Sequence, residues 1–111
     1  MYSSELIKGT LKTIVLNLLK QNGRMYGYEI TQKVKEITEG KIQITEGALY
    51  PTLHSLEQRG ELETVKEYIG KRARKYYSLT EQGQASAQEK VNELQDFMTT
   101  IQSLLSLRPS I

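Results

Sequence analysis

An apolar seam near the C-terminal end constrains the fold of this chain most strongly. The seam consists of Ala87, Val91, Leu94, Met98, Ile101 and Leu105, spaced alternately by four and three residues, with Phe97 and Leu104 widening it on one side. This is the heptad spacing of helices that pack against other helices. A lone domain of 111 residues has little surface on which to bury so long a stripe. The seam therefore predicts a dimerisation helix over residues 81–107, with packing inside one subunit as the alternative. Residues 108–111, which follow it, are expected to fray.

Composition excludes several classes of protein. The chain has no cysteine, which excludes a disulfide framework and a thiolate metal site and fits a cytoplasmic protein. Its longest apolar run is Ile14-Val15-Leu16, too short for a membrane span or a signal-peptide core. The net charge of +2 is unevenly divided, because residues 1–80 carry 13 basic and 9 acidic side chains and residues 81–111 carry 2 and 4. The first part is therefore the part expected to face a polyanion.

Two amphipathic helices are predicted before residue 40. The first runs from about Ser4 to Gln21 and ends at Asn22-Gly23. The second runs from about Tyr26 to Thr38, with an inner stripe of Tyr26, Ile30, Val34 and Ile37. Gly27 would allow something outside the domain to approach the backbone closely, and helix N-termini bind phosphate readily. Tyr26 and Tyr28 are therefore candidates for contacts with a DNA backbone, with simple core packing as the equal alternative.

The segment Thr45–Gly60 predicts a third helix with an unusually plain outer face. Leu49, Leu53 and Leu56 form its inner stripe, and Gly47, Pro51, His54 and Gln58 fall on the opposite side. Such a helix suits insertion into a groove, and we expect it to continue through Pro51. The candidate DNA-binding residues here are Thr45, Gly47, Tyr50, Pro51 and His54. Tyr50 lies about 90° from the outer face on a helical wheel, so core packing remains open for it.

A basic β-hairpin is predicted after this helix. Glu61 to Ile69 reads as one strand and Lys75 to Leu79 as its return, while Lys41 to Ile44 is a candidate for a short isolated strand. The predicted turn between the hairpin strands carries four basic residues, and Lys71, Arg72, Arg74 and Lys75 are candidate phosphate contacts. Glu61, Glu63 and Glu67 are expected to form a solvated face.

The order of these elements predicts the fold class. Helix, helix, recognition helix and hairpin is the order of a winged helix-turn-helix, here a mainly α (α+β) domain over residues 1–80 followed by the long helix. We find no Gly-rich phosphate loop, no zinc-binding motif and no nucleophile placed with the single histidine. The sequence therefore predicts neither an enzyme nor a metal or cofactor site.

Three blocks of sequence resemble the PadR-like family of bacterial transcriptional regulators. They are Tyr26-Gly27-Tyr28-Glu29-Ile30, the segment Gly47-Ala48-Leu49-Tyr50-Pro51-Thr52-Leu53-His54-Ser55-Leu56-Glu57, and Arg74-Lys75-Tyr76-Tyr77-Ser78-Leu79-Thr80-Glu81-Gln82-Gly83. The tail is similar to that of compact members with a single C-terminal helix. Ala73 departs from the family, which often has proline or glycine at the wing tip.

The resemblance implies a homodimeric repressor that binds double-stranded DNA at an inverted repeat. It also implies that small aromatic or drug-like effectors bind at the dimer interface of some members. Leu94, Phe97 and Met98 match that place, but the chain has no tryptophan to stack on an aromatic effector, which favours these residues as dimer core over an effector site. Two other hypotheses remain: a winged-helix module that binds proteins rather than specific DNA, and a monomer whose tail binds another protein.

Overall fold

Four helices and a three-stranded antiparallel sheet make up residues 2–106, the part of the chain that the computed structural model describes. The elements are α1 (Ser4–Asn22), β1 (Met25–Tyr26), α2 (Gly27–Ile37), α3 (Glu46–Gln58), β2 (Leu62–Ile69), β3 (Arg72–Leu79) and α4 (Glu81–Leu104). The order is that of the winged helix-turn-helix predicted from the sequence, and the α+β fold class is confirmed. The predicted tail at residues 108–111, and Leu107, lie outside the described residues.

The core forms where α1, α2, α3 and the base of the hairpin meet. Its members are apolar side chains that recur at helical spacing, among them Leu11, Val15, Leu19, Ile30, Val34, Leu49, Leu53 and Leu56. Leu49, Leu53 and Leu56 are at most 1% exposed, so the inner stripe of α3 is fully covered. Burying a leucine side chain contributes about 1.5–3 kcal/mol. The stripe therefore fixes which face of α3 points outward.

Polar side chains cap the starts of three helices. Ser3 Oγ accepts from Leu6 N at the start of α1, Thr45 Oγ1 from Ala48 N at α3, and Thr80 Oγ1 from Gly83 N at α4. Each such cap satisfies a backbone donor and stabilises its helix by about 0.5–2 kcal/mol. Thr45 is the N-cap of α3, so the helix starts where the predicted segment begins, and it continues through Pro51 as expected.

The sheet differs from the prediction in two places. β3 begins at Arg72 and pairs with β2 from Ile69↔Arg72 to Leu62↔Leu79, so the turn between the strands contains only Gly70 and Lys71. The third strand is β1, which pairs Met25 with Tyr77 and Tyr26 with Tyr76, whereas residues 41–44 are irregular. The predicted strand at Lys41 to Ile44 is therefore wrong. The position of β1 is decided by its pairing with β3, which is distant in sequence. Two residues are too few to show a periodicity from which that strand could be predicted.

Two residues lie on the side opposite to the one predicted. Ile37 belongs to the predicted inner stripe of α2, but it is 61% exposed because it ends the helix beyond the edge of the core. Glu61 was expected on a solvated face, but it precedes β2 and is only 2% exposed. It packs against α4, where Ser86 Oγ donates a hydrogen bond to its carboxylate.

Helix α4 extends well beyond the rest of the domain. It has 24 residues, and the described structure measures 56 × 29 × 23 Å along its principal axes. Its first half packs on α1, with Ala87 fully buried and Lys20 Nζ donating to Gln88 Oε1 over 2.6 Å. Its second half leaves large apolar side chains exposed. Among residues 2–106, no helix combines the length and the apolarity needed to cross a membrane.

Gly83, in the first turn of α4, should not tolerate a side chain. A Cβ built there would collide with the backbone carbonyl oxygen of Glu61. We expect Gly83→Ala to lower the free energy of unfolding by about 2 kcal/mol, although alanine is normally the better helix former. Gly47→Ala is the matched control, because the nearest atom to its Cβ is Thr45 Oγ1 at 4.0 Å. Chemical unfolding that showed Gly83→Ala to be as stable as the parent would contradict this packing.

Candidate nucleic-acid interface

The outer face of α3 is exposed and carries small or weakly polar residues. Gly47, Pro51 and His54 are all exposed, as the sequence predicts, and Thr45 stands at the start of the helix as its cap. Glu46 in the first turn adds one exposed carboxylate. The outer face of α3 therefore forms a smooth ridge that could fit closely into a groove of a binding partner.

Tyr50 lies at the side of this face and contacts α2. A Cβ at Gly27 would approach Tyr50 Oη to 2.5 Å, so the tyrosine ring lies directly over the backbone of Gly27. Gly27 therefore makes room for a side chain of the same domain, rather than for an outside molecule as the sequence suggested. Tyr50 is still 45% exposed, so it packs with one side and faces solvent with the other.

The four basic residues predicted at the wing tip take up different positions. Lys71 lies in the turn, while Arg72, Arg74 and Lys75 belong to β3. Side chains alternate across a strand, so Arg72 and Arg74 share one face and Lys75 projects from the other. The predicted grouping of all four in one loop is therefore wrong, although the basic character of the hairpin end is retained.

Lys75 is directed towards α3. Its Nζ lies 3.5 Å from Glu57 Oε1 and 5.4 Å from the centre of the Tyr77 ring. Burial raises the pKa of the Tyr77 phenol, so this hydroxyl stays neutral beside the ammonium. Lys75 thus joins the hairpin to the end of α3 while its side chain remains 43% exposed.

A stack of cations and aromatic rings joins the hairpin to the start of α2. The Arg74 guanidinium lies 4.2 Å from the centre of the Tyr26 ring, and Tyr26 meets Tyr76 edge to face at 5.5 Å. On the far side, the Arg24 guanidinium lies 4.4 Å from the Tyr76 ring and pairs with Glu67. Arg24 and Tyr76 were not among the site residues predicted from the sequence. The available sequence signal was the alternate spacing of Arg72, Arg74 and Tyr76, which places them on one face of a strand. The stack itself also requires the pairing of β3 with β1.

A groove separates the hairpin from the first turn of α2. It has a volume of about 730 Å³ and is lined by Tyr26, Tyr28, Ile69, Arg72, Ala73 and Arg74. The structure thus brings the two tyrosines and the two arginines, which the sequence suggested separately, to the same place. A groove lined by two guanidinium groups and two phenols suits a phosphate backbone.

The seam of α4 is only partly covered within one subunit. Ala87 is buried and Val91, Leu94 and Ile101 are half-buried, whereas Phe97, Met98, Leu104 and Leu105 are 59, 50, 76 and 60% exposed. Leu6 at the start of α1 is also 65% exposed. A groove of about 410 Å³ runs between these two helices, with Leu6, Leu94 and Phe97 among its lining residues.

Comparison with known proteins identifies the family. The model of the transcriptional regulator PadR-like family matches residues 15–89, which is more than half of the chain. The chain belongs to the PadR-like family. The resemblance seen in the sequence is therefore confirmed, and the protein is a DNA-binding transcriptional regulator rather than an enzyme.

Individual relatives match over nearly the whole chain. An uncharacterised protein from Lysinibacillus sphaericus is 37% identical in an alignment of length 97 residues, and the match covers 84% of this chain and 85% of the relative. The structure is similar to a transcriptional regulator from Clostridium thermocellum, with a TM-score of 0.83, 31% identity and coverage of 90 and 97% of the two chains. A PadR family regulator from Eggerthella lenta matches with a TM-score of 0.76, 31% identity and coverage of 91 and 82%.

Proposed function

We propose that this PadR-like regulator is a homodimeric repressor that binds double-stranded DNA at an inverted repeat. The observation that carries the proposal is the exposed, almost uncharged face of α3, flanked by the arginine-lined groove between the hairpin and α2. In this arrangement α3 enters the major groove and the flanking groove follows the phosphate backbone. A dimer bound across a promoter would block access of RNA polymerase.

Each candidate DNA-binding residue has a role in this proposal. Gly47, Pro51 and His54 face the bases, with His54 able to reach a base edge. The hydroxyls of Thr45 and Tyr50 suit phosphate contacts, as do Tyr26 and Tyr28 at the first turn of α2. Lys71, Arg72 and Arg74 contribute charge at the hairpin, and Lys75 contributes from its position beside Glu57.

We infer the dimer from the uncovered half of α4. Phe97, Met98, Leu104 and Leu105 lie within nine residues at the C-terminal end of α4 and are all at least half exposed. Exposed apolar residues of this density mark contact sites rather than free surface. A second copy of α4, packed on the heptad seam and on the exposed start of α1, would cover them. The dimer places two copies of α3 in symmetric positions, which suits half-sites about 34–36 Å apart or a multiple of this distance.

The groove between α1 and α4 supports a second role, namely binding of a small aromatic or drug-like effector that relieves repression. Leu94 and Phe97 line this groove and Met98 follows them on the seam. Titration of the dimer with an aromatic dye, read out by release of labelled DNA, tests the role. If the dye no longer releases DNA from Phe97→Ala, the effector role is supported. If Phe97→Ala binds the dye with the affinity of the parent protein, the effector role is contradicted.

Gly47 provides a test that separates recognition from folding. The space around it would accept a methyl group, so Gly47→Ala should raise the free energy of unfolding by about 0.5–1 kcal/mol. The same methyl group would stand on the face proposed to meet the bases, so we expect DNA affinity to fall. Fluorescence anisotropy with labelled operator and thermal unfolding of the same samples measure the two effects. Unchanged affinity in a stabilised variant would exclude this position from the interface.

Selection of binding sites from random duplex DNA tests the proposal as a whole. We expect an inverted repeat to be enriched, and we expect its binding to survive an excess of competitor DNA. Equal binding to all sequences at every salt concentration would instead favour a module that contacts other proteins. The neighbouring promoter, fused to a reporter gene, then shows whether binding lowers transcription.

A further inference from the structure

A buried carboxylate joins the recognition helix to the C-terminal helix. Glu61 is the buried charged residue of the described part of the chain, and it follows α3 by three residues. Ser86 of α4 donates a hydrogen bond to Glu61 Oε1, and Arg59 Nε lies 3.0 Å from Glu61 Oε2 without being aligned as a hydrogen bond. The carboxylate thus has one partner on each side of the junction.

Backbone contacts strengthen the same junction. Thr80 Oγ1 donates to Gly60 O over 2.6 Å, Thr80 N donates to Glu61 O over 3.1 Å, and Gln82 Nε2 donates to Arg59 O over 3.1 Å. Gly83 lies so close to the Glu61 carbonyl that a side chain would not fit. We call these residues the α3–α4 joint; its members are Arg59, Gly60, Glu61, Thr80, Gln82, Gly83 and Ser86.

A carboxylate such as that of Glu61 is not needed to fill space in the core. Moving a carboxylate out of water is costly unless it is fully paired, and an apolar side chain would fill the same space without that cost. Directional polar contacts differ from apolar packing because they favour one relative orientation of the two elements. The polar contacts of Glu61 with Ser86 and Arg59 therefore favour one relative orientation of α3 and α4.

We propose that Glu61, through Ser86 and Arg59, is a positioning residue that holds the recognition helix at a fixed angle to the dimerisation helix and thereby sets the half-site spacing that the dimer accepts. The inference rests on the proposed function, because only a dimer on an inverted repeat has a spacing to read. One added base pair rotates the second half-site by about 34° and moves it by about 3.4 Å. A dimer with a stiff α3–α4 joint should bind the altered site weakly. A dimer with a loosened joint should adjust to the new spacing and bind it better.

The test compares affinities for duplexes with the selected spacing and with one base pair added or removed. The variants are Glu61→Gln with Ser86→Ala, Ser86→Ala alone, and the control Glu63→Gln, which alters an exposed carboxylate two residues away. We expect the ratio of affinities between selected and altered spacing to fall about threefold or more in the double variant. The ratio should stay at the parental value in the control. Light scattering and thermal unfolding confirm that each variant is a folded dimer.

The outcomes separate the joint from a merely structural role. A drop in affinity that is equal at all spacings would leave the ratio unchanged and would overturn the inference. If the double variant fails to fold, Ser86→Ala alone decides the matter by the same ratio. A parent protein without any spacing preference would overturn both this inference and the proposed dimer on an inverted repeat, whereas a parental preference that every variant retains would overturn the inference alone.

Discussion

Replacing both Arg72 and Arg74 by alanine should weaken DNA binding by on the order of tenfold or more and reduce its dependence on salt. Both guanidinium groups line the groove beside α2, where we propose that the phosphate backbone lies. Each lost phosphate contact releases about one counterion fewer, so the slope of log affinity against log salt concentration should become shallower by about two. Anisotropy titrations at several salt concentrations give this slope directly.

A control variant distinguishes the loss of the proposed phosphate contacts from a general loss of positive charge. Lys35→Ala removes a lysine near the end of α2, beside Gln32, Glu36 and Glu39 and away from the arginine-lined groove. We expect the slope to be nearly unchanged in this variant. If the two arginine substitutions leave the slope as it is in the parent protein, the hairpin does not touch DNA, and the proposed interface fails at this edge.

Met98→Glu should convert the protein into a monomer. Met98 is 50% exposed in a single subunit, so a carboxylate at this position is solvated in the monomer and leaves its fold intact. In the proposed dimer the same carboxylate would be buried in an apolar seam, at a cost of several kcal/mol per ion. Size-exclusion chromatography with light scattering measures the change. Operator affinity should fall by on the order of a hundredfold, because each half-site must then be bound separately.

The control for this variant adds the same charge next to the seam. Thr99 is exposed and points about 100° away from Met98 around α4. We expect Thr99→Glu to remain dimeric and to bind operator nearly as the parent does. A monomeric parent protein at micromolar concentration, or a dimeric Met98→Glu variant, would show that the seam does not hold two subunits together.

The sequence was sufficient for the elements whose signals are local. The 3.6-residue periodicity of Leu49, Leu53 and Leu56 determined both the existence of α3 and its outer face, and Thr45 marked its start. The order of the predicted helices and strands along the chain then indicated the winged helix-turn-helix fold. Local signals also located the basic hairpin end, because Lys71 and Arg72 follow a glycine between two β-prone runs.

Features that depend on contacts between distant segments could not be predicted. The stack of Arg74 on Tyr26 requires the pairing of β1 with β3, and the burial of Glu61 requires α4 to turn back against the end of α3. An acidic residue beside a strand reads as solvated unless its partner, here Ser86 twenty-five positions later, is known to lie beside it. Ile37 shows the opposite error, because a periodic stripe does not reveal where the core ends.

The mass of the complex that the protein forms with its selected operator, measured by light scattering, tests the proposed dimer on DNA directly. We expect two subunits on one duplex, and we expect an affinity about a thousandfold or more above that for a scrambled duplex of the same length. One subunit per duplex, or equal affinity for both duplexes, would contradict the proposal that two copies of α3 read an inverted repeat.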